Sequence, residues 1–132
     1  YIDKNAIDPL DFISVDVSFI SLKLVFPVAC ELLKSDGKMV CLVKPQFEAG
    51  REQVGKKGIV RDKKVHIQVI ENVIKYTIDN GLNPAGLTYS PVKGAKGNIE
   101  YLLYIDGKAK GIEEPCDIDI EEVVSNSHEE LE

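Results

Sequence analysis

Two hydrophobic patterns alternate along this chain: short continuous apolar runs, and longer segments with apolar residues at helical spacing. The short runs predict buried strands and the longer segments predict amphipathic helices that pack on a sheet. In chain order we predict a strand, a helix, a strand, a helix and two final strands, over residues 11–16, 22–34, 38–44, 63–80, 82–89 and 99–106.

Local signals mark the boundaries of the first helix. Ser21 is suited to cap its start, and Pro27 predicts a kink within it or a later start of its regular part. Residues 35–37 predict its end, with Gly37 in the left-handed conformation that glycine adopts readily.

Strands separated by helices indicate an α/β fold with parallel strands and right-handed crossovers. The last two strands have no helix between them, which predicts that the final strand is antiparallel. This order is that of the second half of a doubly wound fold.

Three charged residues lie at predicted strand ends. Asp16 and Lys44 end two successive buried strands, and Glu100 opens the final, reversed strand, so all three are expected at the edge where open α/β sheets bind ligands. Such a group is suited to remove a proton from a weakly acidic hydroxyl. Surface salt bridges or helix caps are the alternative interpretation of each residue.

Basic residues are concentrated in two glycine-containing loops, over residues 46–62 and 90–98. Lysine and arginine in such loops are suited to contact phosphate groups. A solvated loop and a plain turn are the alternatives. The candidate phosphate-contacting residues are Arg51, Lys56, Lys57, Arg61, Lys93 and Lys96.

Composition limits the class of protein. The 132 residues suit one domain, and 44% hydrophobic residues exclude a mostly disordered chain. Three cysteines without CxxC spacing do not form a disulfide framework, no metal-ligand cluster is evident, and no apolar run reaches the ~20 residues of a membrane span. The first residue, Tyr1, leads us to expect a piece of a larger protein.

The negative charge is concentrated at the end of the chain. Residues 107–132 contain nine acidic and two basic residues, whereas the preceding residues are nearly neutral. We therefore expect a domain over residues 1–106 and an acidic, flexible tail over residues 107–132 that carries no site.

Three segments together resemble one family: residues 16–22 (DVSFISL), 42–48 (LVKPQFE) and 90–100 (SPVKGAKGNIE). They are similar to the TlyA/hemolysin A-like ribosomal RNA 2'-O-methyltransferases, which are part of the wider FtsJ-like class. The resemblance covers residues 10 to 106. It implies the C-terminal half of a Rossmann-like S-adenosylmethionine-dependent methyltransferase fold, in a cytoplasmic protein that acts on ribosomal RNA or a ribosomal subunit.

The resemblance also assigns roles to the strand-end residues. The family uses two lysines, an aspartate and a glutamate; its aspartate falls on Asp16, its second lysine on Lys44 and its glutamate on Glu100. Lys44 would accept the proton of a ribose 2'-hydroxyl while Asp16 and Glu100 hold and tune it. Asp16 would also border the cofactor, and the six candidate phosphate-contacting residues would contact the RNA.

Other family features precede the matched segment and are not found in this sequence: the first lysine, the glycine-rich cofactor loop, the acidic ribose-binding residue and a basic S4-like domain. We therefore expect this chain alone neither to bind S-adenosylmethionine well nor to methylate RNA. We also expect the first strand to have an uncovered edge through which the chain could self-associate.

The sequence disfavours two other classes of function. A membrane-active hemolysin is disfavoured because the sequence has no apolar span and no cationic amphipathic helix. A catalytically silent RNA-binding module with the same fold is disfavoured by the presence of Asp16, Lys44 and Glu100.

Overall fold

The predicted alternation of strands and helices is confirmed in the computed structural model, which describes residues 9–55, 57–107 and 118–131. The strands are β1 (Leu10–Val15), β2 (Leu33–Val43), β3 (Asn83–Tyr89) and β4 (Tyr101–Asp106). The helices are α1 (Leu22–Leu32), α2 (Pro45–Glu48), α3 (Lys63–Asp79) and α4 (Ile120–Leu131).

The four strands form one mixed sheet in the order β1-β2-β4-β3. β1 and β2 are parallel, and β4 is antiparallel to both β2 and β3. The prediction of parallel strands finished by an antiparallel one is therefore confirmed, and the last strand inserts between its two predecessors. β1 is at the end of the sheet, and its Phe12 side chain is exposed.

Helix α1 begins as predicted and ends differently. The Ser21 hydroxyl accepts a hydrogen bond from the Lys23 amide at 3.1 Å, which caps the helix. The predicted turn at residues 35–37 is wrong, because β2 starts directly at Leu33 and includes them as an irregularity in the β1–β2 register. Gly37 does not have a positive φ; a Cβ there would lie 2.6 Å from a Leu33 side-chain atom, so a larger residue requires the buried Leu33 side chain to move.

The expectation of a flexible acidic tail does not hold for residues 120–131, which form helix α4. Its Val124, Ser127 and His128 are buried, and the helix packs against α3 and β3. The acidic residues that dominate the composition lie on its outer face, so net charge did not reveal the buried stripe. Residues 108–117, and the tail assignment for them, lie outside the described residues.

A buried polar network connects α3, β4 and α4. The Tyr101 hydroxyl lies 2.9 Å from both His66 Nδ1 and Ser127 Oγ, and His128 Nε2 lies 3.0 Å from His66 Nδ1. His66 Nε2 lies 2.8 Å from the Val60 carbonyl oxygen, which can only accept a hydrogen bond, so Nε2 carries the ring proton and donates. The network shows how the last helix is fixed to the sheet.

None of the helices in the described ranges is long and apolar enough to cross a membrane.

Candidate active site at the carboxyl edge of the sheet

Asp16 and Lys44 meet at the carboxyl ends of two neighbouring parallel strands. β1 ends at Val15 and β2 at Val43, so the next residue of each strand leaves the sheet at the same edge. The Lys44 Nζ atom lies 2.5 Å from Asp16 Oδ1 and 3.3 Å from Ser18 Oγ. The lysine side chain is 12% exposed and the aspartate side chain 61% exposed. The amine is therefore shielded on the protein side, whereas the carboxylate is open to a ligand.

Glu100 lies at the same edge because β4 runs in the opposite direction. Val43 pairs with Tyr101, so Lys44, one residue later, and Glu100, one residue earlier, are neighbours on adjacent strands. Glu100 is buried, and its Oε2 accepts a hydrogen bond of 3.0 Å from Gln46 Nε2. Thus the structure brings the three predicted residues to one edge and adds Gln46 as a direct partner of the glutamate.

Gly94 and the Oε1 atom of Gln46 are two unusual features of the surroundings of Glu100. A Cβ added to Gly94 would overlap the Glu100 carboxylate, so the glycine allows the backbone of the preceding turn to cover this group. The other amide atom of Gln46, Oε1, is buried and has no hydrogen-bond partner in the described part of the chain. A buried acceptor without a donor is costly, so this oxygen is suited to accept a hydrogen bond from a bound group.

An aromatic pair with one exposed and one partly buried ring borders this edge. Phe19 follows Asp16 by three residues, Phe47 follows Lys44 by three residues, and their ring centroids are 4.8 Å apart. The Phe19 side chain is 89% exposed, and its φ of 65° is in the left-handed region that non-glycine residues avoid. Phe47 is close to Lys44 in the chain, whereas no local feature of the sequence predicted the backbone conformation of Phe19.

Glu48 is a site residue that the sequence reasoning missed. Its carboxylate accepts hydrogen bonds from Ser21 Oγ at 2.7 Å and from the Leu22 amide at 2.9 Å, at the start of α1. Burial raises the pKa of this carboxyl, and the two hydrogen bonds act in the opposite direction. Glu48 thereby ties the segment after Lys44 to the end of the loop that carries Asp16. The feature of the sequence that could have indicated Glu48 is its position shortly after Lys44, the lysine that follows a strand.

The predicted RNA-contacting residues fall into separate groups. Arg61, Lys93 and Lys96 line one surface pocket, and Lys57 lines a neighbouring one together with Arg61. Arg51 lies in an exposed short 3₁₀ turn, and Lys56 lies outside the described residues. The structure therefore gathers half of the six predicted residues around one pocket.

Metal ligands were not predicted from the sequence. Within residues 9–55, 57–107 and 118–131, no three His, Cys, Asp or Glu side chains are arranged as a metal site. Buried Cys41 and half-buried Cys30 are free thiols, and burial raises the pKa of Cys41 to about 12.

The comparison with protein families matches residues 2–106 to the FtsJ-like methyltransferase model. The chain belongs to this family. The mixed α/β sheet and the resemblance of the three motifs agree with this assignment.

Two similar proteins show which members of the family this chain resembles. The chain is 47% identical over 123 residues to "Putative rRNA methyltransferase YqxC" of Bacillus subtilis, covering 92% of this chain and 44% of that protein. It is 36% identical over 111 residues to the 16S/23S rRNA (cytidine-2'-O)-methyltransferase TlyA of Mycobacterium tuberculosis, covering 80% of this chain and 41% of that protein. The chain thus spans less than half the length of these relatives.

A solved structure confirms the fold. The crystal structure of a "putative hemolysin" from Lactococcus lactis superimposes with a TM-score of 0.83 at 47% identity, covering 89% of this chain and 56% of that one.

Proposed function

We propose that this chain forms the catalytic edge of an RNA 2'-O-methyltransferase that acts on ribosomal RNA. The contact between Lys44 and Asp16 at the carboxyl edge carries the proposal, because it places a proton acceptor beside a carboxylate where this fold binds ligands. Family membership and the names of the relatives support the same reaction.

The cofactor implied by the family is S-adenosylmethionine, which when bound supplies an electrophilic methyl group. Asp16 fits one edge of it, because its carboxylate is open to ligand and complements the positive charge of a sulfonium. The chain spans less than half the length of the relatives it matches, and the remaining parts of such proteins would complete the pocket. We therefore infer that the chain alone binds the cofactor weakly and is inactive, and calorimetry that shows micromolar binding would contradict this.

In the proposed reaction, Lys44 accepts the proton of a ribose 2'-hydroxyl, and the oxygen would take the methyl group whose bond to the cofactor sulfur breaks, leaving a neutral thioether. The reactive form of Lys44 is the neutral amine, and the ammonium that results faces Asp16 Oδ1 at 2.5 Å. The attraction to the carboxylate therefore grows as the proton arrives, which lowers the barrier to its transfer. Shielding of the lysine from water strengthens this attraction.

Glu100 supports the same step from the neighbouring strand. Its buried carboxylate adds negative charge beside Lys44, and the Gln46 amide and the Gly94 backbone hold it in place. At the same edge of the sheet, the exposed Phe19 ring and the partly buried Phe47 ring offer an apolar surface on which a nucleobase can stack.

The proposed partner is ribosomal RNA, free or in a ribosomal subunit, and the proposed location is the cytoplasm. The exposed edge of β1 supports a further proposal, self-association of the isolated chain, which light scattering would test.

A chimera tests the proposed function. Residues 2–106 would replace the matching segment of the Mycobacterium tuberculosis relative, and 2'-O-methylation of ribosomal RNA would be measured with labelled S-adenosylmethionine. We expect activity in the chimera and a loss of at least about 100-fold on Lys44→Ala, the scale of general-base catalysis. A chimera that folds and binds the cofactor but transfers no methyl group would overturn the proposal, as would full activity of Lys44→Ala.

A membrane-active function has no supporting observation in the described residues. Lysis of red cells by the purified chain would be the result that revives it.

A further inference from the structure

A pocket of about 440 Å³ lies between the segment that precedes α3 and the turn that precedes β4. Arg61 enters it from the first segment, and Lys93 and Lys96 enter it from the second. None of the described residues that line it is acidic. Asp62, next to Arg61, is engaged elsewhere, since its carboxylate accepts the Lys64 amide at 2.8 Å to cap α3. The pocket is therefore suited to a small anion.

A buried side chain fixes the two walls of this pocket to each other. Asn98 Oδ1 accepts a hydrogen bond of 2.9 Å from the Val60 amide, and its Nδ2 donates one of 2.9 Å to the Gly58 carbonyl. Its own carbonyl accepts the Gly94 amide at 2.7 Å, which closes the turn. The distance between the cations thus depends on a tertiary contact and not on two independent loops.

The turn also contains a strained lysine. Lys96 has a φ of 59°, in the left-handed region that is unfavourable for residues with a side chain. Its amine lies against Gly58 on the facing wall, 3.2 Å from the position that a Cβ would take there. A glycine at position 96 would be less strained. The conformational preference of lysine therefore does not explain why it is found there, whereas its positive charge does.

The pocket adjoins the proposed active site. The turn continues from Asn98 through Ile99 to Glu100, and its Gly94 covers the Glu100 carboxylate. We propose that the pocket binds one phosphodiester group of the RNA, close to the nucleotide that is methylated; this rests on the proposed function. The anion would be held by the three cations and by exposed backbone of the turn.

Nuclear magnetic resonance of the full ¹⁵N-labelled chain locates the site. A single-stranded RNA hexanucleotide is expected to shift the amide signals of Gly58, Arg61 and Gly97, and the same sequence with an uncharged methylphosphonate backbone is expected to leave them unchanged. Inorganic phosphate at higher concentration should shift the same amides. Equal shifts with the charged and uncharged backbones, or shifts confined to other regions, would overturn the proposal.

A pair of variants separates binding from stability. Lys96→Gly removes one cation and relieves the left-handed strain, so we expect RNA affinity to fall roughly three- to tenfold and the salt slope to decrease by about 1. The thermal midpoint should stay equal or rise. Lys75→Gln, which removes an exposed cation near the other end of α3, should change neither affinity nor slope by a comparable amount. Unchanged RNA affinity in Lys96→Gly would overturn the proposal.

The chimera distinguishes the two proposals. Methyl transfer that is unaffected by Lys96→Gly at limiting RNA concentration would overturn the pocket assignment and leave the proposed function intact. In the opposite case, phosphate shifts the amide signals of the chain, while the chimera folds and binds the cofactor but transfers no methyl group. This result would overturn the proposed function and support the assignment of the pocket as an anion-binding site.

Discussion

The backbone of Gly94 lies directly against the carboxylate of Glu100, leaving no room for a side chain at position 94. Glu100 is buried there and accepts a hydrogen bond from Gln46, so the turn before β4 determines where a proposed catalytic carboxylate lies. The contact between Gly94 and Glu100 therefore connects the basic turn before β4 with the proposed transfer of a proton to Lys44.

This contact predicts the effect of Gly94→Ala. The φ of Gly94 is outside the positive region, so alanine fits the backbone, but its Cβ must displace the flexible Glu100 side chain. We expect kcat of the chimera to fall about tenfold or more, with a small change in thermal midpoint. Gly86→Ala is the matched control, because a Cβ there makes ordinary contact with Tyr104 at 3.7 Å. Equal kcat values for the two variants would contradict the prediction.

Substitution of Phe19 tests the aromatic surface. Phe19→Leu keeps an apolar side chain on the same strained backbone and removes the ring, so stability should change little because the side chain is 89% exposed. We expect RNA affinity of the chimera to fall by roughly 1–3 kcal/mol, the typical contribution of one stacked base. Phe19→Tyr should retain the affinity. If Leu and Tyr bind RNA equally well, Phe19 does not stack on a base.

Glu48→Ala should destabilise the chain by about 1–2 kcal/mol in urea unfolding. The reason is that the variant leaves the Leu22 amide and the Ser21 hydroxyl without their acceptor at the start of α1. Glu52→Ala, which changes an exposed glutamate in the next segment, is the control and should be nearly neutral. Equal unfolding free energies would show that Glu48 does not connect the two loops.

Helix α4 predicts a sharp contrast between adjacent positions. Val124 is buried and Ser125 is exposed, so Val124→Asp buries a charge and should cost about 3 kcal/mol or more. Ser125→Asp adds the same charge to the outer face and should change the unfolding free energy by less than about 0.5 kcal/mol. A flexible tail would give two equal, small effects, which circular dichroism melts would reveal.

Cys41 predicts a pH dependence of stability. Burial raises its pKa to about 12, whereas an exposed thiol in the unfolded chain ionises near about 8.5. The unfolded chain therefore loses this proton first, so the contribution of Cys41 to stability is full below about pH 8.5 and declines as pH rises toward 12. The difference in unfolding free energy between the natural chain and Cys41→Ala should be constant from pH 7 to 8 and smaller at pH 10. A constant difference up to pH 10 would contradict the assigned burial.

Much of the site was predictable because parallel strands end at one edge. Asp16 and Lys44 each follow a continuous apolar run, and once those runs are adjacent strands, the two side chains must emerge together. Glu48 and Phe19 were not predictable in the same way. The role of Glu48 depends on a hydrogen bond to a helix start 26 residues earlier, and that of Phe19 on a left-handed backbone.

The sequence by itself determined the order β1, α1, β2, α3, β3 and β4 and the cap at Ser21, because hydrophobic period and capping are local properties of the chain. Only the tertiary structure decided that residues 35–37 extend β2, that β4 inserts between β2 and β3, and that α4 is folded. Each of these depends on contacts between residues far apart in the chain. Val124 and His128 are buried because α4 packs against α3 and β3. The folding of this segment therefore depends on a surface that other parts of the chain provide.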